Sequence, residues 1–429
     1  KGREGREQYG ESLAPETGDN KTMGNSLLFM AKKHETPMPF SAPSWARRFA
    51  KADFEHRKIH SWEYGYWWIE WGGELDTIKD NQRIRKNLME ILLGIWDYIK
   101  NSGEHPESEN WALEWVGMIP GKRESRRMVG EHVLIQQEVE TAELFEDRVS
   151  YGGWPMDDHP PGGIDSRDLP PCVQIHLSRP YSIPLRSLYS KNRSNLFMAG
   201  RNLSASHVAL TSTRVMATCA AMGQAIGVAA ACCIAWNKSP QEITAQKELM
   251  DRLQQRLLRE DQAILGMTNT DPEDWARSAT ITASGALPEG PAEYVIDGYN
   301  REIGDGKTHQ WRAEMTQEGP WLQLTWSEPK SLGRIQLTFD SVLHRKLFLS
   351  GEDSAYNTQV RGIPPEMVTD YLLEAQVDGG WRRLVEIKGN YLRCVRHRFD
   401  PVTTTAVRLR VVKTGGDLLA RVFEIRCYS

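Results

Sequence analysis

The 429 residues carry 53 Lys and Arg against 57 Asp and Glu, a net charge of −4 with both signs spread along the chain. That balance excludes the basic surface that nucleic-acid binding needs. The 6 cysteines form no C-x-x-C and no repeated spacing, so no metal or iron–sulfur site is expected.

The chain opens on Lys1 rather than Met, so a processed or partial chain is expected. Residues 1 to about 60 read as loop-rich, because Pro37, Pro39 and Pro43 interrupt regular structure. Asp80 predicts the cap of a helix through Asn101, in which Ile84, Leu88, Ile91, Leu92, Ile95 and Ile99 recur at the helical interval. Just upstream, Tyr64, Trp67, Trp68 and Trp71 suit either a core or the flat apolar walls of an alcohol or sugar site. Arg126–Glu140 reads as a strand leading into a helix or loop. At strand spacing Arg126 and Arg127 point to opposite faces, so at most one of them reaches a substrate. Gly152–Pro171, dense in Gly, Pro and Asp, predicts an ordered loop without helix or strand.

The stretch Asn195–His207 reads as a short strand ending in a turn at Gly200, then a polar loop. A long helix is expected to follow, with Ser212, Thr213 and Arg214 in its first turn and an uncharged run from Val215 to Trp236. The run is long enough to span a bilayer. It is nevertheless rich in Ala and Gly rather than Leu, Ile and Phe, which predicts a buried core helix and no membrane span. Gly223 and Gly227, with Ala220, Ala230 and Ala231, form a small-residue stripe that lets a sheet, a helix or a flat cofactor approach closely. The first N–H groups of such a helix lack internal partners and favour an anion or an electron-rich carbonyl. Ser239-Pro-Gln-Glu242 then spells a capping box with Pro at the first helical position, and Leu249, Leu253, Leu257 and Leu258 continue an amphipathic helix.

From Trp275 the text changes character. Period-two segments at Trp321–Trp326, Arg334–Phe339, Tyr371–Val377 and Ala406–Val412, separated by Gly, Pro, Asn and Asp turns, predict an antiparallel sandwich. The order of Val295-Ile-Asp-Gly298, Gln310-Trp-Arg312, Trp321–Leu324, Ile335–Leu337 and Arg421–Arg426 resembles the discoidin-like, galactose-binding type C domain. The resemblance implies a jelly roll over about 278–429, of a kind used for sugars or surfaces.

The earlier blocks resemble the FAD-dependent oxidoreductase family with a glutathione-reductase-like or fumarate-reductase-like flavin fold. They are Glu11-Ser-Leu-Ala-Pro15, Trp67–Gly73, Arg123–Arg127, Pro180–Arg186, Asn195–Arg201, Ser206-His207, Ser212-Thr-Arg214 and Gly223–Gly227. The resemblance implies an α/β (α+β) flavoprotein portion over 1–265, with a substrate region at about 15–180 and a flavin-contact segment at about 181–240, then a linker at 266–277. It implies non-covalent FAD and hydride transfer from the C–H of a small-molecule substrate to flavin N5; the appended sandwich and the aromatic content add the expectation of a carbohydrate alcohol. Gly200 would let backbone approach the cofactor. Arg201 would pair with phosphate or ribityl oxygens, or form a salt bridge. Ser212, Thr213 and Arg214 would face the flavin N1–C2=O edge, or simply cap the helix; Gly223 and Gln224 complete the cofactor set. His207 would take a substrate hydroxyl proton, or be structural, and Trp68 and Arg126 would contact substrate.

No strand followed by G-x-G-x-x-G opens the chain, and charged Lys1-Gly-Arg-Glu-Gly-Arg-Glu7 cannot serve as that turn. The pyrophosphate cradle is therefore expected in an upstream segment or a separate chain. The alternative expectation is a non-catalytic carbohydrate- or surface-binding protein built on a degenerate flavoprotein fragment.

Overall fold

A computed structural model describes residues 1–343, 345 and 360–429. The chain divides into two compact units, Lys1–Leu257 with Gln262–Leu265, and most of the remainder.

The first unit begins with α1 (Arg6–Tyr9), β1 (Asn25–Ser26), β2 (Phe29–Lys33), β3 (Glu70–Trp71) and α2 (Asn81–Asn101). It continues through β4 (Trp111–Val116), β5 (Gly121–Lys122), α3 (Gln136–Glu140), β6 (Arg148–Gly152), β7 (Met156–Asp158), β8 (Val173–Ile175) and β9 (Tyr181–Pro184). It ends with α4 (His207–Thr213), α5 (Met216–Trp236), α6 (Pro240–Ala245) and α7 (Lys247–Arg259), whose last turn passes into the second unit. Its ladders, β3-β1-β5, β2-β4, β6-β9 and β7-β8, are all antiparallel. Among the described residues no βαβ crossover is formed, so this portion is α+β.

Helix α2 carries the core of this half. Ile84, Leu88, Ile91, Leu92, Ile95 and Ile99 are all buried and pack on Leu27, Phe29, Trp68 and Ile69. Burying each contributes ~1.5–3 kcal/mol. Asp80 holds the N-cap position, but its carboxylate accepts Asp76 N–H at 3.0 Å instead of capping the helix. A side chain at Gly94 would bring its Cβ to 2.1 Å from the Arg47 carbonyl, so the close approach of that loop requires glycine.

Three expectations are corrected here. Arg126–Ile135 forms no strand, because its backbone groups bond to separate loops: Met128 N–H to Asn202 O at 3.0 Å, His132 N–H to Arg186 O at 3.2 Å, and Leu134 N–H to Ser204 O at 3.1 Å. The Gly152–Pro171 stretch is not wholly loop, since Met156–Asp158 pairs with Val173–Ile175 as the β7-β8 ladder. The long helix expected from Ser212 is two helices. The chain turns at Val215, whose ψ of 149° is extended, so α4 ends at Thr213 and α5 starts at Met216. The capping box forms as expected: Ser239 Oγ accepts Glu242 N–H at 3.2 Å and Glu242 Oε2 accepts Ser239 N–H at 2.8 Å.

Helix α5 is not a fully buried core helix. Only 33% of its most apolar window is buried, although by length and composition it could cross a membrane. Thr218, Met222, Ala225, Ile226, Ala229 and Cys232 face the protein. The opposite face is open: Met216 is 88% and Ile234 84% exposed, and a side chain at Gly223 or Gly227 would meet nothing within 4 Å.

The second unit is an antiparallel sandwich of β10 (Thr280–Ala283), β11 (Trp311–Glu314), β12 (Trp321–Phe339), β13 (Val368–Val377), β14 (Gly380–Ile387), β15 (Cys394–Thr414) and β16 (Leu419–Tyr428). The order is β11-β16-β12-β15-β13-β14, with β10 on β12. The β12–β15 ladder is bulged between Thr325 and Lys330 and again between Leu332 and Arg334. Bulges bend a strand, so one half of β12 pairs with β10 and the other with β16 while both contribute to one core. Trp311, Leu322, Leu337, Phe339 and Tyr371 are wholly buried there. Cys394 and Cys427 lie on the strands either side of β12 and are free thiols.

Candidate functional site

Period-two alternation on β7 divides the centre of the first unit into two buried charge clusters. Asp158 points to one side, toward His207 on α4; Asp157 and His159 point to the other, toward Arg214.

His207 opens α4 behind the cap Ser206, whose Oγ accepts Ala209 N–H at 3.0 Å. The imidazole lies between two carboxylates, with Nδ1 3.0 Å from Glu124 and Nε2 3.1 Å from Asp158. Its backbone N–H donates to Glu4 at 2.8 Å. Arg127 ties the acids together through Glu124 and through Glu4 at 2.6 Å, and its Nε–H donates to Ala205 O at 2.8 Å. Burial pulls the His207 pKa down, but the two carboxylates more than offset it and hold the value up at about 9. The ring is therefore an imidazolium near neutrality with both N–H groups donating. With both nitrogens engaged, the role of base expected from the sequence requires the ring to give up one of these two carboxylates.

The second cluster is built alike. His159 Nδ1 meets Glu70 at 2.7 Å and Nε2 meets Asp157 at 3.1 Å. Arg214 reaches Asp157 at 3.0 Å, and Arg123 reaches Glu70 at 3.2 Å while donating to Trp67 O at 2.7 Å. Burial opposes the charge on His159, yet its two carboxylate bonds raise the pKa. Burial also opposes ionisation of Asp157, but the bonds from His159 and Gln174 hold it far below the usual range. Sequence reasoning passed over His159. Its signal was the run Asp157-Asp158-His159, where alternation must send one acid and the histidine to a shared face.

The predicted site residues are placed as follows. Ser212 is buried and committed to the Trp154 carbonyl at 2.6 Å and the Tyr181 hydroxyl at 2.8 Å, at the C-terminal end of α4 rather than at a helix start. Thr213 is buried with its hydroxyl unpartnered, and Arg214 keeps an unpartnered buried Nε–H. Trp68 is 4% exposed, stacked on Tyr66 at 4.8 Å and donating to Lys58 O, so it is core and not a substrate wall. Trp67, next to it in sequence, is exposed, and its ring centroid lies 5.4 Å from that of His159 in an edge-to-face arrangement. Arg126 is exposed, outside both clusters, while Arg123 and Arg127 enter them. Gly223 is half-buried and Gln224 exposed on α5.

Gly200 and Arg201 lie beside the start of α5. Gly200 has φ of +80°, and a Cβ there would lie 3.4 Å from that of Cys219. Arg201 is half-buried and makes no ion pair among the described residues. The first internal bond of α5 is Cys219 N–H to Val215 O at 3.0 Å, and valine offers no side-chain cap. The N–H groups of Met216, Ala217 and Thr218 therefore point outward at a partly positive helix end.

Residues 1–257 match the family described as FAD dependent oxidoreductase. The chain belongs to that family. Residues 274–348 match a domain of unknown function, DUF7402, and no curated protein matches the chain. Solved structures similar to it include the family 32 carbohydrate-binding module of C. perfringens NanJ in complex with galactose, at 17% identity and TM-score 0.27, covering 36% of this chain and 96% of that one. The family 32 module of Streptococcus pneumoniae EndoD matches at 18% identity and TM-score 0.28, covering 36% and 99%. A chitosan-binding module from Paenibacillus sp. IK-5 matches at 15% identity and TM-score 0.27, covering 36% and 98%.

The residues of the first unit fit the flavin that the family implies. The open end of α5, the unpaired Arg201 and the orphaned Thr213 hydroxyl are donors without acceptors, the complement of a polar ring edge and an anionic tail.

Proposed function

We propose that this chain forms the ring-facing and substrate-facing part of an FAD-dependent oxidoreductase that removes hydride from a substrate C–H. The observation that supports it most is the uncapped start of α5 beside Gly200 and Arg201. Bound FAD supplies the two-electron acceptor. The N–H groups of Met216, Ala217 and Thr218 would hold the electron-rich edge of the ring, where fixed donors would favour its reduced form. Arg201 pairs with the ribityl or phosphate oxygens through its fork of donors. In the clusters around His207 and His159 both nitrogens of each ring are engaged by carboxylates, so in this reading their part is to fix β7, α4 and the Glu124 loop in place.

The substrate in this reading is an alcohol, with a carbohydrate favoured by the exposed rings of Tyr64, Trp67 and Trp115. The open uncharged face of α5 is the seat of the dinucleotide-binding unit, carried by the same polypeptide or by a partner; small residues there admit a closely packed sheet or helix. The test is a titration of the protein with FAD, read by flavin fluorescence and by the visible spectrum. Quenching with a shifted spectrum, weakened at least about tenfold in Arg201→Glu, is expected. A spectrum identical to free FAD, together with sugar binding by the same preparation, would favour the non-catalytic alternative.

A further inference from the structure

The second unit carries a feature that the flavin reading does not use. On the outer face of its sheet the Arg408 guanidinium lies between two indoles, 4.4 Å from the ring centroid of Trp321 and 4.0 Å from that of Trp381. The registers place it there. Arg408 on β15 stands opposite Gln323 on β12 and Glu374 on β13, so all three share a face, and Trp381 on β14 shares it through Gln376. The inward neighbours Leu322, Leu324, Leu373, Val407 and Leu409 are buried in the core, which fixes the other set as outward.

Two properties separate this stack from ordinary surface cladding. Arg408 makes no ion pair among the described residues; its one side-chain bond is to Gln323 at 2.8 Å. Arg408 Nε is buried without a hydrogen-bond partner, and the buried Glu374 Oε2 beside it is engaged only by Arg410, at 4.0 Å. A guanidinium held flat by two rings has already lost its rotamer freedom, so little more is lost when an anion binds. From β12 to β14 the face spans three strand spacings, roughly 14 Å.

We propose that this sheet face binds an acidic saccharide chain, with a uronate carboxylate on the free edge of Arg408 and pyranose rings against Trp321 and Trp381. The charge around it agrees. Arg383 and Arg410 share this face with Trp381 and Arg408, Arg383 opposite Glu374 and Arg410 opposite Trp321 and 4.0 Å from Glu374. Glu386 is engaged with Arg383 at 2.5 Å and with Lys388 at 3.6 Å. Hydroxyls of a neutral sugar can accept single bonds from Arg408, but only a carboxylate meets its fork with two parallel charge-assisted bonds, and this is the basis for selecting an acid. The inference does not depend on flavin binding and stands or falls separately from it.

The experiment is calorimetric titration of the whole protein with trigalacturonic acid, with galactotriose as the neutral control. Binding of the acid alone is expected, weakening as salt rises. Arg408→Gln and Trp381→Ala should each weaken it at least about tenfold without shifting the melting temperature. Arg408→Lys should also lose affinity because an ammonium lacks the planar fork, while Trp381→Phe should retain most of it. Equal binding of the neutral trimer would overturn the proposal, as would failure to bind the acid or unchanged affinity in Arg408→Gln and Trp381→Ala. If Arg408→Gln unfolds, the contrast between Trp381→Ala and Trp381→Phe decides.

Discussion

Raising the pH from 6.5 to 9 should cost the first unit stability through His207. The ring is buried and its two carboxylate neighbours hold its pKa at about 9, above the ordinary 6.5. Because the folded value is the higher, the native state binds the extra proton; the stabilisation is complete below pH 6.5 and is lost as pH rises through 9. The slope is ~1.4 kcal/mol per pH unit, so about 3 kcal/mol disappears across the window. The Asp158 carboxylate, 3.1 Å away, is one of the two groups that sustain the shift. Asp158→Asn should therefore shift the upper end of the window toward neutrality without removing the contact shape. Urea midpoints at half-unit pH steps, read by near-ultraviolet circular dichroism, would measure both curves. A wild-type midpoint that stays level from pH 6.5 to 9, or a variant curve superimposable on it, refutes the imidazolium assignment.

In the second unit, Glu424 is buried beside Arg426 at 2.8 Å and burial raises its pKa to about 7, with Arg426 opposing. The sign is again loss on raising pH, now between 4.5 and 7, and Glu424→Gln should cost about 3–5 kcal/mol in denaturant melts by leaving Arg426 unpaired. Trp68→Ala should cost about 3–5 kcal/mol, whereas Trp67→Ala should leave the melting temperature nearly unchanged, because only the first ring is buried in the core. Gly227→Ala should stabilise the protein by up to about 1 kcal/mol, since a side chain there meets nothing within 4 Å. Gly227→Leu should be tolerated as well, yet it should lower flavin occupancy wherever a dinucleotide-binding unit covers α5.

What could be read from the sequence follows from how local each signal is. The six aliphatic positions of α2 and the Ser239–Glu242 box are settled within one or two turns, and both form as expected. The period-two strands of the sandwich were likewise visible, although the text between Trp326 and Arg334 hid the fact that β12 runs on through two bulges. The charge clusters were not legible. His207 meets Glu124 and Asp158 only because the start of α4, β7 and the loop of Glu124, distant in sequence, converge, so a lone histidine gave no sign that both its nitrogens would be occupied. Trp67 and Trp68 were equivalent in the text, and the adjacency that sends neighbouring side chains to opposite sides decided which one is exposed.

The most consequential difference concerns α5. Composition made the run from Val215 to Trp236 look like a helix enclosed on all sides, but hydrophobicity states only that some partner covers a face and does not name the partner. The inward set, from Thr218 to Cys232, packs within the first unit; the outward set, from Met216 through Gly227 to Ile234, is equally free of charge and has no cover among the described residues. A helix face exposed to water for its own sake would carry Lys and Glu at those positions. The same break that frees this face, at Arg214-Val215, also turns Arg214 inward to Asp157 and leaves the α5 N–H groups without a cap. The unpartnered polar end and the unpartnered apolar side thus arise from one turn of the chain. A flavin at the end and its dinucleotide-binding unit along the side would satisfy both at once.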